Sequence, residues 1–475
     1  MAERLTPDIC VIGAGSGGLS VAAGASQMGA SVVLVERADM GGDCLNTGCV
    51  PSKALLAAAH AAQAHRDSGP FGIAAREPEA DHAAALAHVH RTIAAIAPQD
   101  SVARFEALGV RVIEAEGRFS APDTLVAGGV TIQARYFVIA TGSAPMVPPI
   151  PGLDEVPYFT NETIFHAETR PSHLAIVGAG PIGLEMAQAH RRLGIRVTVI
   201  EMDRALPKDD PEATRLVVGR LRDEGIDIIE GAAVTGVGTD GDGLRVDITL
   251  AGQTSQVQAS HLLLAAGRRA SVDALGLEAA GVAHDRQGIT VDARLRTSNR
   301  RIFALGDCIG GLQFTHVAGY QAGIVIRNIL FRLPAKVSHA AVPWVTYTDP
   351  ELAQVGLSEA AAREAGEEVN VLRWPFGEND RAQAERQTDG FAKIVVNRRG
   401  RILGATIVGA HAGELILPWV MAVQEKWKIG KMAGVIAPYP TLSEVSKRAA
   451  GQFFVPKLFS ERTRSVVRFL LRLPF

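Results

Sequence analysis

The chain has 475 residues, with 48 Lys and Arg against 50 Asp and Glu and a net charge of −2 when histidine is neutral. So balanced a charge provides no whole-protein field for nucleic acid, which leaves small molecules or other proteins as partners. Four cysteines argue against a disulfide-stapled secreted scaffold and for a reducing compartment, and the length exceeds one ordinary core, so about two to four domains are expected.

The first residues, Met-Ala-Glu-Arg, run straight into a strand without a signal peptide, and no segment offers about twenty uninterrupted apolar residues. A soluble cytoplasmic protein is the expectation. Residues 8–36 then read as strand, glycine turn, helix and strand, with Gly13, Gly15 and Gly18 in the turn and Glu36 closing the unit. Glycines there let the backbone approach a pyrophosphate resting on the helix N-terminus, while the terminal acid accepts hydrogen bonds from an adenosine ribose.

Next come Cys44 and Cys49, five positions apart in Gly41-Gly42-Asp43-Cys44-Leu45-Asn46-Thr47-Gly48-Cys49-Val50-Pro51-Ser52-Lys53. A dithiol passes two electrons only if one sulfur reaches the other and the second reaches the electron carrier, which suits a short loop leading into a helix. A thiolate there gains from the helix N-terminus and from a cation such as Lys53. His82, His88 and His90 follow on a predicted helix, but their spacing does not align them on one face, so a solvated surface is expected and no metal site.

The nucleotide-binding template returns downstream, where Leu174 to Val177 precede Gly178, Gly180 and Gly183, and Arg196 to Glu201 close the unit. Gly13 to Glu36 spans 23 positions, and so does Gly178 to Glu201. A lone G-x-G-x-x-G is weak, but two in the same context predict two dinucleotide sites. Apolar strands ending in glycine turns also occur at Tyr136 to Gly142, at Ala265-Ala266-Gly267-Arg268 and at Ile302 to Asp307. Cys10, inside a predicted strand, and Cys308 are expected to be small buried residues. From about Val342, short strands such as Gly390 to Val396 alternate with helices, and hairpin turns such as Arg399-Gly400 replace the phosphate loops.

The dithiol segment closely resembles the active-site motif of the class I pyridine nucleotide-disulfide oxidoreductases, FAD-dependent flavoenzymes that include mercuric reductases and dihydrolipoamide dehydrogenases. The resemblance runs over nearly the whole chain, to about residue 450. It implies an α/β fold with two Rossmann-like dinucleotide-binding domains, for FAD and NAD(P), plus a C-terminal α+β dimerisation domain. The implied boundaries are 1–148 for the first part of the FAD domain, 149–270 for the NAD(P) domain, 271–338 for a central segment completing the FAD site, 339–455 for dimerisation and 456–475 for a basic tail. It further implies Cys44 as the interchange thiol, Cys49 as the charge-transfer thiol against the flavin, and Lys53 near the flavin edge paired with Glu185. FAD then falls to Gly13, Gly15, Gly18, Glu36, Thr141, Gly142 and Asp307, the last on the ribityl hydroxyls. The nicotinamide cofactor falls to Gly178, Gly180, Gly183, Glu201 and Gly267. The Glu201 carboxylate repels a 2′-phosphate and pairs with free hydroxyls, so NADH is expected, with NADPH second and Arg204 able to soften the preference.

The family pattern breaks at Ala437-Pro438-Tyr439-Pro440-Thr441-Leu442-Ser443-Glu444. Most branches carry a histidine where Tyr439 stands, paired with the glutamate matching Glu444 and serving the partner subunit's substrate thiol. A phenol titrates near pH 10 and is a poor proton shuttle at neutral pH, which weighs against lipoamide and glutathione. Mercuric reductases also carry tyrosine there, but deliver metal through a C-terminal cysteine pair, and no cysteine follows Cys308 here. The expected activity is a homodimeric NAD(P)H-dependent reductase of a small oxidised acceptor: a metal ion such as mercuric, a disulfide or a reactive oxidant. Dihydrolipoamide dehydrogenase and a flavoprotein docking subunit of a larger complex are the alternatives. Residues 456–475 carry net charge +4 and an apolar stripe of Val466, Phe469, Leu470 and Leu473, a basic amphipathic helix for an anionic membrane surface or for the protein's own dimer.

Overall fold

In the computed structural model, residues 3–241 and 243–474 are described. They fall into two compact units, one of residues 1–204 with 226–337 and one of 205–225 with 338–475. The first is built on two parallel sheets. One has the strand order Ile302–Ala304, Tyr136–Ile139, Ile9–Ile12, Val32–Glu36, Val110–Glu114, and the other Asp227–Glu230, Arg196–Glu201, His173–Val177, His261–Leu264. Ile9–Ile12 is buried at every position, as an uninterrupted apolar run requires when both faces of a parallel sheet are covered. Cys10 and Cys308 lie fully buried in the same apolar cluster, as expected.

The two sheets are linked by two passages of chain that pair antiparallel, Ser143–Pro145 on the way out and Arg268–Ala270 on the way back. Both glycine turns stand at the carboxyl ends of their central strands, where ligands bind in open α/β sheets. The sequence thus places both turns, the dithiol loop and Asp307 within one unit.

The second unit is a five-stranded antiparallel sheet in the order Pro343–Thr346, Glu351–Gly356, Ile402–Gly409, Phe391–Asn397, Val369–Pro375. Trp419 is fully buried against it and donates its indole N–H to Ser446 Oγ at 3.0 Å. The helix Pro211–Asp223 also belongs here, although the sequence reading places it in the nicotinamide domain. A buried ammonium accounts for the difference. Lys393 lies inside a strand with only a small part of its surface in water, and Asp210, Glu212 and Glu359 bring carboxylates to 2.9, 3.5 and 3.6 Å of its Nζ. A charge so placed needs such partners, and Asp210, which also caps the helix, supplies the nearest.

His82 is not solvated: it is 8% exposed, with its ring centroid 6.4 Å from that of buried His190, because the helix His82–Ile96 packs that edge inward. The tail does form a helix, Glu461–Leu470, whose Phe469 and Leu470 remain exposed on this chain. Among the described residues no helix is long and apolar enough to cross a membrane.

Candidate active site

The two glycine turns repeat each other atom for atom in their crowding. A Cβ on Gly13 would meet Ala140 O at 2.4 Å and one on Gly18 would meet Gly13 O at 1.8 Å; for Gly178 and Gly183 the same contacts are Ala265 O at 2.4 Å and Gly178 O at 2.0 Å. These four glycines let backbone touch backbone. Gly15 and Gly180 differ, for a Cβ on either meets nothing within 4 Å, and both are extended with φ near −79° and −74°. Folding alone does not require glycine there, whereas close approach of a ligand does.

The helices that follow, Ser16–Gln27 and Pro181–Arg192, have no side-chain cap and no acid in the first turn, so the first-turn N–H groups, in the second helix those after Pro181, remain available to an anion. The closing acids are held alike. Glu36 accepts from the N–H of Ala14 and of Ala38, and Glu201 from Ala179 at 2.7 Å and Asp203 at 3.0 Å. Each carboxylate is fixed beside its turn with lone pairs left for ribose hydroxyls. Both cradles therefore fit a dinucleotide.

The dithiol loop leans directly on the first turn. Gly41 N–H donates to Ala14 O at 2.9 Å, and a Cβ on Gly42 would lie 2.8 Å from Gly15 Cα. Both glycines have positive φ, 90° and 59°, which is what folds the loop back. Cys44 sits on the short helix Gly42–Asn46 and Cys49 opens the helix Cys49–Arg66. Both are free thiols here.

Their chemistry is asymmetric. A hydrogen bond from Cys44, reinforced by the Thr315 hydroxyl and the Lys53 ammonium, brings the Cys49 thiol down to about 6, while the same sharing and burial push Cys44 well above its ordinary range. The pair is thus biased toward holding its negative charge on Cys49 and its proton on Cys44. Thr315 Oγ lies 3.5 Å from Cys49 Sγ at the start of the helix Thr315–Leu330. Sequence reasoning missed it, since 266 residues separate the two and a threonine opening a helix is unremarkable. Lys53 Nζ donates to Glu185 Oε2 at 2.7 Å, joining the dithiol helix to the helix of the second turn, with the Glu185 side chain only 5% exposed.

Asp307 Oδ2 accepts from Ser143 Oγ at 2.6 Å, and burial raises its carboxyl. Thr141 donates to Ser271 O at 2.7 Å, Gly142 has φ 69° with open space around it, and Gly267 turns at φ 115° with its carbonyl accepting from Met146 N–H. Tyr439 and Glu444 lie in the other unit. There Tyr439 is 69% exposed and its hydroxyl donates to Asp380 Oδ2 at 2.9 Å, not to Glu444. The Asp380 carboxylate raises the phenol further above its ordinary value, with Glu444 adding in the same direction. Among the described residues no cluster of His, Cys, Asp and Glu is arranged to hold a resident metal ion.

Residues 7–322 match the family described as pyridine nucleotide-disulphide oxidoreductase, and residues 342–450 match the dimerisation domain of that name. The chain belongs to this family of flavin disulfide oxidoreductases. It is 36% identical over 454 residues to the mercuric reductase of Streptomyces lividans, covering 94% of this chain and 96% of that one. It is 33% identical over 458 residues to the dihydrolipoyl dehydrogenase of Geobacillus stearothermophilus, covering 93% and 94%. Among solved structures, the Cu(II) complex of the HOCl-induced flavoprotein disulfide reductase RclA from Escherichia coli aligns with TM-score 0.83 at 28% identity, over 92% of this chain and 98% of that one. LpdA from Mycobacterium tuberculosis aligns with TM-score 0.86 at 28% identity, over 95% and 99%. The protein is therefore an FAD- and NAD(P)H-dependent enzyme whose dimerisation domain fits a homodimer.

Two outcomes follow from this geometry. In the two-electron-reduced enzyme the long-wavelength thiolate-to-flavin absorbance should appear as pH rises through about 6 and persist above it, be absent in Cys49→Ser, and move to higher pH in Lys53→Met, as spectral titration will read. Gly180→Ala should keep the wild-type melting temperature and FAD content but raise KM for the nicotinamide cofactor about tenfold or more, whereas Gly183→Ala should impair folding itself.

Proposed function

We propose that the protein is an NADH-dependent reductase that delivers two electrons through Cys44 and Cys49 to a thiophilic metal ion. The observation that carries this reading is Tyr439: its hydroxyl is engaged by Asp380 and its ionisation suppressed, so position 439 supplies no base for a substrate thiol. A soft metal ion needs none, because it displaces the thiol proton on binding sulfur. The similarity to mercuric reductases and to a flavoprotein disulfide reductase whose structure is a Cu(II) complex supports the same acceptor class.

FAD, when bound, would supply the two-electron chemistry that connects NADH to the disulfide. Opening the Cys44–Cys49 bond with one hydride gives one thiolate and one thiol, and NAD+ departs. Cys49 keeps the negative charge, favoured by Thr315, Lys53 and the start of its helix; Cys44 keeps the proton and, at the other end of the pair, meets the acceptor. Passing two electrons onward re-forms the disulfide and releases that proton. Lys53, fixed by Glu185, holds a positive charge beside the thiolate throughout. Gly13, Gly15, Gly18, Glu36, Thr141, Gly142 and Asp307 cradle FAD in this reading, and Gly178, Gly180, Gly183, Glu201 and Gly267 the nicotinamide cofactor.

Wild-type enzyme should reduce one mercuric ion, or two cupric ions to cuprous, per NADH faster than it turns over lipoamide or oxidised glutathione, and Tyr439→His should raise lipoamide turnover about tenfold or more. Robust wild-type lipoamide activity, unmoved by Tyr439→Phe, would instead identify a dihydrolipoamide dehydrogenase. Glu201→Ala should narrow the NADH over NADPH ratio of kcat/KM by about tenfold, since it removes the charge that repels the 2′-phosphate; a wild-type preference for NADPH contradicts this assignment.

A further inference from the structure

Between the two cysteines' loop and the returning strand of the nicotinamide domain lies a polar network that the reaction described above does not use. Its centre is Asp43, the residue just before Cys44. Asp43 Oδ1 accepts from Thr47 Oγ and from Asn161 Nδ2, both at 2.9 Å, and Oδ2 lies 3.3 Å from an Arg268 guanidinium nitrogen. Arg268 is itself largely buried, its side chain 13% exposed, and spreads across the passage between the sheets. It donates to Ser143 Oγ at 2.8 Å, to Ser143 O at 3.0 Å and to Asn161 Oδ1 at 3.4 Å. Ser143 passes the contact on to Asp307.

We propose that Asp43 and Arg268 form a charge-setting pair for the dithiol, in which Arg268 masks the Asp43 carboxylate from the adjacent sulfurs and thereby sets how readily Cys49 ionises. Both are positioning residues, acting through the loop and not on a reacting atom. The inference rests on the electron-transfer role given to Cys44 and Cys49 above.

Three features carry it. A carboxylate adjoining a thiolate repels it, and Asp43 opposes ionisation of both cysteines. Among the described residues, Cys49 is influenced by Cys44 and Asp43 on the preceding helix, by Lys53 on its own helix, whose ammonium is paired with the Glu185 carboxylate, and by Thr315 on a third; Asp43 is the carboxylate that opposes its ionisation. Finally, Arg268 pairs directly with Asp43 and reaches Asp307 through Ser143 Oγ, so its guanidinium is held between one ion pair and one relayed hydrogen bond. Arg268 stands on the strand Arg268–Ala270 by which the chain leaves the nicotinamide sheet, so the setting of the dithiol is tied to that crossing.

A test follows from the opposite signs. The pH midpoint of Cys49 ionisation is read in the reduced holoenzyme by the long-wavelength absorbance and, separately, by the rate of iodoacetamide alkylation at Cys49 followed by peptide mass analysis. Asp43→Asn should move the midpoint down, and Arg268→Gln should move it up, each by about 0.5–1 pH unit, or about three- to tenfold in thiolate at fixed pH below the midpoint. Arg268→Lys should restore it toward wild type, and in the Asp43→Asn background the effect of Arg268→Gln should largely vanish. Shifts of both single variants in the same direction would show mere loosening of the loop and overturn the proposal, as would an unmoved midpoint in Asp43→Asn. If Arg268→Gln fails to load FAD, Asp43→Asn and Arg268→Lys decide alone. Loss of the absorbance in wild type with a normal alkylation profile would sink the electron-transfer reading, while the alkylation midpoints still judge the pair.

Discussion

Everything at the site depends on where the helix Cys49–Arg66 begins. Its first residue is the sulfur that ionises, and one turn later Lys53 reaches Glu185 on the helix of the second glycine turn. One rigid element therefore carries the thiolate, the cation beside it and the link to the other nucleotide unit. The i, i+4 spacing puts Cys49 and Lys53 on one face, so the helix cannot rotate without losing both contacts. Glu185 is nearly buried, and a buried carboxylate tolerates little displacement of its ammonium. The loop before the helix is pinned as firmly, by Gly41 and Gly42 against Ala14 and Gly15.

Much of this was legible in the sequence because it is written locally. The glycines of the two turns, the acid 23 positions after each and the dithiol between them are short-range patterns with a steric cause, and the crowding at Gly13, Gly18, Gly178 and Gly183 is that cause. Within the pattern the sequence could not separate glycines that serve the fold from Gly15 and Gly180, which face open space; only the packing around them does so. Lys53 with Glu185 came from resemblance, since nothing local connects positions 132 residues apart.

What escaped the sequence is long-range and polar. Thr315 beside Cys49, and Asn161 and Arg268 around Asp43, are ordinary residues until the crossing strands bring them together. The helix Pro211–Asp223 falls inside the 149–270 boundary that the resemblance implies, but its attachment to the C-terminal sheet depends on the buried Lys393, which no local pattern connects to Asp210. His82 is unlike its expectation for a similar reason: burial depends on what packs beside the helix, and the His190 ring lies there. For Tyr439 the substitution was visible and its partner was not, because Asp380 lies 59 residues earlier.

The division of charge between the sulfurs explains why an acid–base partner matters so much for acceptor choice. With the proton on Cys44, an organic thiol substrate must lose its own proton elsewhere, and Tyr439 is bound to a carboxylate that keeps it neutral. The central claim is that reducing equivalents enter the Cys44–Cys49 pair and rest there with the negative charge on Cys49. Anaerobic titration with NADH, followed by counting thiols in denaturant, tests it most directly. The account predicts two free thiols per chain before reduction, Cys10 and Cys308, and four after the first equivalent, with the flavin still oxidised and the long-wavelength absorbance at its maximum. Bleaching of the flavin at the first equivalent with the thiol count unchanged would contradict it.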